Sequence, residues 1–149
     1  MPTKATYHAD AIYLTKNLGN RLKNIPDFGL TVLEAPMGYG KTTAMRSFAQ
    51  KTNMKVLWHS VYTGGMSYFW DGFYKAVAPL SGELAVKLQR IGPPTDAVLV
   101  QKAVELICGV QIAQKTALVI DDYHFVDSPT VDAFFSFLLL NLPPQLHLV

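Results

Sequence analysis

The sequence predicts an α/β domain built on a mostly parallel sheet, and three observations predict it. Short β-rich apolar runs alternate with segments of helical period. The first such run leads through a glycine-bearing turn directly into a helix. A later run, TALVI, is continuously apolar and ends in two aspartates, as befits a parallel strand buried on both faces.

The elements follow in order. Ala11 to Lys23 carries Ile12, Leu14, Leu18 and Leu22 at helical spacing and stops near Asn24 and Pro26, giving a helical lead-in over residues 1–28 ahead of a core at 29–149. Leu30 to Glu34 (LTVLE) reads as a strand, APMGYG as a turn, and Lys41 to Lys51 as a helix with Ala44, Phe48 and Ala49 on one side. Lys55 to Ser60 reads as a second strand. Thr63, Gly64 and Gly65 break the chain before an aromatic helix from Met66 to Val77, and a short helix is expected near Glu83 to Gln89.

After the break at Gly92, Pro93 and Pro94, a longer helix starts at Pro94 or Thr95. Its apolar residues Ala97, Val98, Val100, Val104, Leu106, Ile107 and Val110 wrap widely, as on a helix packed against a sheet. Thr116 to Ile120 is the apolar strand. Ser128 fits an N-cap with Pro129 at the first helical position, and Val131 to Leu140 continues as a helix stopped by Pro143 and Pro144. The terminal LHLV opens a further strand with no turn after it, so the chain reads as a fragment or a truncated gene product.

A length of 149 residues fits one domain, able to bury roughly 68–70% of the surface its unfolded chain exposes. Half the residues are apolar and 16% are charged, which excludes a disordered chain. The mean hydropathy of +0.17 is high for a complete soluble domain and predicts apolar surface meant for further chain. A net charge of +2 with no basic run argues against a nucleic-acid footprint. The single Cys108 forms no internal disulfide and lies in an apolar helical pattern, so a reduced, cytoplasmic setting and an inert core role are expected. The N-terminus has no signal-peptide pattern, and the most apolar window, Ala133 to Leu142, is shorter than the roughly 20 residues of a membrane-spanning helix.

The chemistry concentrates in two places. Ala35, Pro36, Met37, Gly38, Tyr39, Gly40, Lys41 and Thr42 match GxxxxGK[ST] with Ala at the first Gly, between a predicted strand and a predicted helix. Gly38 and Gly40 let the loop turn its N–H groups inward around phosphates. Lys41 supplies a mobile charge to the β- and γ-phosphates, the Thr42 hydroxyl is a Mg²⁺ ligand, and Thr43 adds an α-phosphate contact. The bland reading is a flexible loop beside an exposed lysine.

Asp121 and Asp122 end an apolar strand, on the side of a parallel sheet where ligands bind. Asp121 is assigned to the metal and Asp122 to orienting or deprotonating an attacking water. Taken alone, such a pair equally well caps a turn. His124 is a candidate γ-phosphate sensor or a structural turn residue. His8, His59 and His147 show no metal pairing. Trp58, Tyr62, Tyr68, Phe69, Trp70, Phe73 and Tyr74 are better explained as core than as a stacking platform. Arg90, Lys102 and Lys115 read as solvated charges.

LEAPMGYGKTTAMRSFA together with ALVIDDYHFVDSPTVDAFFSFLLLNLPPQLHLV resembles the signal-transducing STAND ATPases, in the MalT-like branch of large LuxR-type transcriptional activators. The resemblance runs roughly from Leu22 to Val149. It implies a three-layer P-loop NTPase fold, truncated within a central strand, with LHLV between the phosphate-loop strand and the Asp121 strand. It implies ATP or ADP with Mg²⁺ as ligands. It also implies C-terminal regulatory domains as partners: an arginine-bearing strand end, a winged-helix portion, a sensor array and a DNA-binding helix-turn-helix, none within this sequence. Self-association is then a matter for the parent protein, and this segment itself is expected to touch neither DNA nor membrane.

The leading expectation is therefore the ATP-binding module of a signal-responsive transcriptional regulator, with hydrolysis slow or dependent on missing parts. A P-loop kinase acting on a small molecule stays open, although no Arg-rich lid segment is present and the aspartates come late. A non-catalytic nucleotide-binding fragment stays open too.

Overall fold

The computed structural model describes residues 16–62 and 65–149. The lead-in positions Ile12 and Leu14, His8, and the break at Thr63 and Gly64 lie outside the described residues. Among the described residues six helices and three strands follow one another as α1 (Lys16–Leu22), α2 (Lys41–Lys51), β1 (Lys55–Ser60), α3 (Met66–Val77), α4 (Gly82–Ile91), α5 (Ala97–Cys108), β2 (Thr116–Asp121), α6 (Pro129–Leu140) and β3 (Leu146–Leu148). Single 3₁₀ turns occur at Ile25–Asp27, Ala78–Leu80 and Tyr123–Phe125.

The three strands form one parallel sheet in the order β1-β2-β3. β1 and β2 pair over their full length, from Lys55 with Thr116 to Ser60 with Asp121. β3 pairs with β2 on one side. On its other side it bonds to the segment before the glycine loop, where the Leu148 N–H donates to Gly29 O and the Thr31 N–H donates to Leu148 O. β3 thus lies between the Asp121 strand and the segment leading to the loop, the place expected for LHLV.

The expected strand Leu30–Glu34 is reduced to a single bridge at Leu30. The reason is its neighbour: Leu148 bonds toward this segment but Val149 turns its N–H and C=O to Leu118 and Ile120 of β2, so Val32 to Glu34 find no ladder partner, and Val32 is 73% exposed. Leu33 still turns inward, against the cluster under α2.

Strand residues alternate between two apolar clusters. Ala117 and Val119 pack with Leu22, Ile25, Ala44, Met45 and Phe48, and so are covered by α1, the Ile25 turn and α2. Leu57, Leu118, Leu146 and Leu148 face the larger cluster built by α3, α4, α5 and α6. Trp70, Phe73 and Phe134 form its centre, with edge-to-face rings 5.0 to 5.9 Å apart. Burying each such ring stabilises the fold by about 1.5–3 kcal/mol, so truncating Phe73 to Ala is the change that would most directly open this layer.

Two expectations about α5 are corrected. It begins at Ala97 rather than at Pro94 or Thr95, because Asp96 is the N-cap and its carboxylate accepts the Leu99 N–H at 2.9 Å. Val98, expected on the packed side, is 69% exposed. Among the aromatic residues, Phe69, Trp70, Phe73 and Tyr74 are core, whereas Tyr62 and Tyr68 are exposed. The Tyr74 hydroxyl donates to Gly92 O at 2.7 Å, and burial pushes its pKa up to about 12. Cys108 packs at the edge of the larger cluster, and burial raises its thiol pKa. No helix among the described residues is long and apolar enough to cross a membrane.

Candidate functional site

The glycine loop lies between the Leu30 bridge and the start of α2. Gly38 and Gly40 adopt left-handed conformations, with φ of 83° and 81°, which an L side chain resists. A Cβ at either position would meet nothing within 4 Å, so backbone conformation rather than crowding demands glycine here. Ala35 has no positive φ, which explains why alanine serves at the first position of the pattern. Pro36 O accepts the Tyr39 N–H at 3.3 Å, closing a turn at the tip, and Met37 and Tyr39 are 82% and 77% exposed.

Gly40 is also the N-cap of α2, and no side chain caps that end. The first-turn N–H groups of this eleven-residue helix therefore point out of its N-terminus with the positive end of the helix dipole, an arrangement that favours an anion. The Lys41 ammonium folds back over the loop and donates to the carbonyls of Ala35 and Pro36. Both acceptors are backbone carbonyls of the loop itself, so the ammonium is held by groups it can exchange for other oxygens. Thr43 is exposed beside it.

Thr42 connects the loop to the acidic strand end. Its hydroxyl lies 3.1 Å from each carboxylate oxygen of Asp121. β2 positions Asp121 as its last residue, opposite Ser60 of β1, and Asp121 O accepts the Val61 N–H at 2.9 Å. The donor set is hard oxygen from one hydroxyl and one carboxylate, which suits Mg²⁺, an ion usually bound by one or two carboxylates plus phosphates and waters. Two neighbouring ligands of an octahedral Mg²⁺ lie about 3 Å apart, given Mg–O bonds of about 2.1 Å, so the spacing fits as well. Among the described residues no group of three or more His, Cys, Asp or Glu gathers to hold a metal, here or elsewhere, so any ion at Thr42 and Asp121 would take its remaining ligands from phosphate and water.

Asp122 leaves the strand in a left-handed conformation, φ 61° and ψ 36°, alone among the described non-glycine residues. Its O accepts the Phe125 N–H at 3.0 Å, and Tyr123 O accepts the Val126 N–H at 2.8 Å, closing the 3₁₀ turn. The Asp122 carboxylate is 42% exposed and so open to water. His124 Nδ1 stands 3.9 Å from Asp122 Oδ1, too far for a hydrogen bond, and the His124 ring lies 4.1 Å from that of Phe125.

His59 and His147 are both buried. His59 is buried at the end of β1 against Phe69 and Phe73, its Nε2 has no partner, and desolvation lowers its pKa. His147 Nδ1 lies 2.8 Å from Phe28 O. Lys115, expected as a solvated charge, reaches Pro26 O at 3.3 Å.

Sequence reasoning placed Ala35 and Pro36 in the loop but not their carbonyls under Lys41, and it missed the pair Tyr123 and Asp132. The Tyr123 hydroxyl donates to Asp132 of α6, and its ring meets Phe135 edge-on at 5.6 Å. Asp132 in the first turn of α6 was the available signal, since an acid there suits the helix dipole whatever else it does. Two surface depressions, of about 500 and 470 Å³, lie away from this site, beside α4 and the end of α5 and between the starts of α5 and α6. No model of a known protein family matches the sequence.

Proposed function

We propose that this chain is the nucleotide-binding core of a regulatory ATPase, with a P-loop NTPase fold of the kind the STAND-class resemblance implies. The observation that carries the reading is the hydrogen bond from Thr42 to Asp121, which joins a glycine loop at a helix N-terminus to a carboxylate at a parallel strand end. ATP or ADP lies with its phosphates in the loop from Ala35 to Thr42. The α2 N–H groups and Lys41 meet the phosphate oxygens, with Thr43 toward the α-phosphate.

Thr42 and Asp121 hold Mg²⁺, directly or through its waters. Charge neutralisation on the phosphate oxygens is the chemistry Mg²⁺ supplies when bound. Asp122 orients a water and takes its proton as the water oxygen bonds to the γ-phosphorus and the bond to the bridging oxygen breaks, leaving ADP and phosphate. In a longer parent protein, ATP against ADP would bias a two-state assembly controlling transcription.

Titrating the chain with ATP in Mg²⁺ and again in EDTA, with phosphate release followed in parallel, tests this reading. Binding that weakens at least about tenfold on chelation, with slow release, is the expected result. Phosphate transfer seen only with an added small-molecule acceptor would move the reading to a kinase.

A further inference from the structure

The turn after β2 raises a question of its own. Asp122, the water-orienting residue of the reading above, stands on a left-handed backbone, a conformation that persists only where the surroundings over-determine it. Its own side chain contributes little, since His124 Nδ1 stands 3.9 Å from its carboxylate, beyond hydrogen-bond reach. The two backbone bonds of the 3₁₀ turn fix its shape but not its attachment to the rest of the fold.

Attachment comes from Tyr123. Its hydroxyl donates to Asp132 Oδ1 and its ring rests on Phe135, so the residue next to Asp122 is tied at two points to α6. α6 is itself firmly seated: Val131, Phe134 and Leu138 are fully buried, and Ser128 caps its start by accepting the Val131 N–H.

We propose that Tyr123, latched to Asp132, is the positioning residue for Asp122, holding the left-handed turn in the orientation that directs the Asp122 carboxylate at the attacking water. The proposal rests on the hydrolase reading above. In this reading Tyr123 acts through Asp122, so its loss acts on turnover and not on affinity.

The test compares Tyr123→Phe, Asp132→Leu and Asp132→Asn with the wild-type chain, measuring Mg-ADP affinity, single-turnover phosphate release from Mg-ATP, and melting temperature. Tyr123→Phe keeps the ring on Phe135 and loses only the donor. Its release rate should fall by about tenfold, a part of the 10²–10⁴-fold that a positioned base supplies, with Mg-ADP affinity within about twofold of wild type. Asp132→Leu should match it, and Asp132→Asn, whose amide oxygen still accepts the phenol, should restore most of the rate.

Loss of affinity and rate together, tracking the melting temperature without rescue by Asn, would mean that the latch only stabilises the fold. Wild-type release no faster than that of Asp122→Asn would also overturn the proposal, because no Asp122-dependent step would exist to position. The phosphate-site reading stands or falls separately, on whether Lys41→Ala still binds Mg-ADP.

Discussion

The Thr42 hydroxyl lies 3.1 Å from both carboxylate oxygens of Asp121, a residue 79 positions further along the chain. Only the parallel arrangement brings them together: α2 starts where the loop ends, β2 ends beside it, and both termini face the same edge of the sheet. Removing either partner should therefore act through the metal. In Thr42→Ala and Asp121→Asn, nucleotide binding in Mg²⁺ is expected to weaken roughly five- to tenfold, as for one lost charge-assisted bond, with binding in EDTA unchanged. Thr42→Ser, which keeps the hydroxyl, should bind as wild type. Equal loss with and without Mg²⁺, read by calorimetry, would place the pair outside metal binding.

Gly40 and Gly19 give opposite expectations for the same substitution. Neither would crowd a neighbour, but Gly40 has a φ of +81° and Gly19 lies in α1 without a positive φ. Gly40→Ala should cost about 1–2 kcal/mol in urea unfolding, through the left-handed backbone alone. Gly19→Ala should instead stabilise by about 0.4–1 kcal/mol, since it restricts the unfolded chain.

His59 makes stability depend on pH. Its buried ring favours the neutral form, so its folded pKa lies below the unfolded value of about 6.5. The unfolded state then binds more protons in the window between the two values. The contribution is fully present above about pH 6.5 and is lost as pH falls toward the lowered folded value. Urea midpoints measured at pH 7.5 and pH 5 should show this drop, and His59→Leu should reduce it.

The same ring fixes Gly72. A Cβ there would come within 2.6 Å of His59 Cε1, under any real contact distance. Gly72→Ala should destabilise by about 1–3 kcal/mol through overpacking, against the small gain expected of Gly→Ala in a helix. Combining it with His59→Ala should recover much of the loss, a non-additivity visible in a double-mutant cycle.

Much of this architecture was legible in the residues because it is local. The span of α3 from Met66 to Val77 and of β1 from Lys55 to Ser60 came from apolar period and glycine breaks, and the Ser128 cap with Pro129 marked the start of α6. The chemical motif was local too, since the loop carries its own glycines and lysine. What failed depended on neighbours. LTVLE has the composition of a strand but pairs only at Leu30, because a strand needs a partner backbone and β3 supplies one only to Leu148. Asp96 displaced the start of α5 because a cap depends on backbone conformation two residues past Pro94. The Tyr123 latch was invisible because the left-handed turn at Asp122, not any spacing, carries the phenol to α6.

Phosphate binding at Lys41 is the claim on which the functional reading depends, and calorimetric titration of Mg-ATP into the wild-type and Lys41→Ala chains tests it most directly. The expected result is binding to wild type and an affinity about 10- to 100-fold weaker in the variant, the range for lost hydrogen bonds from a charged group. Equal affinities in the two folded chains would contradict it.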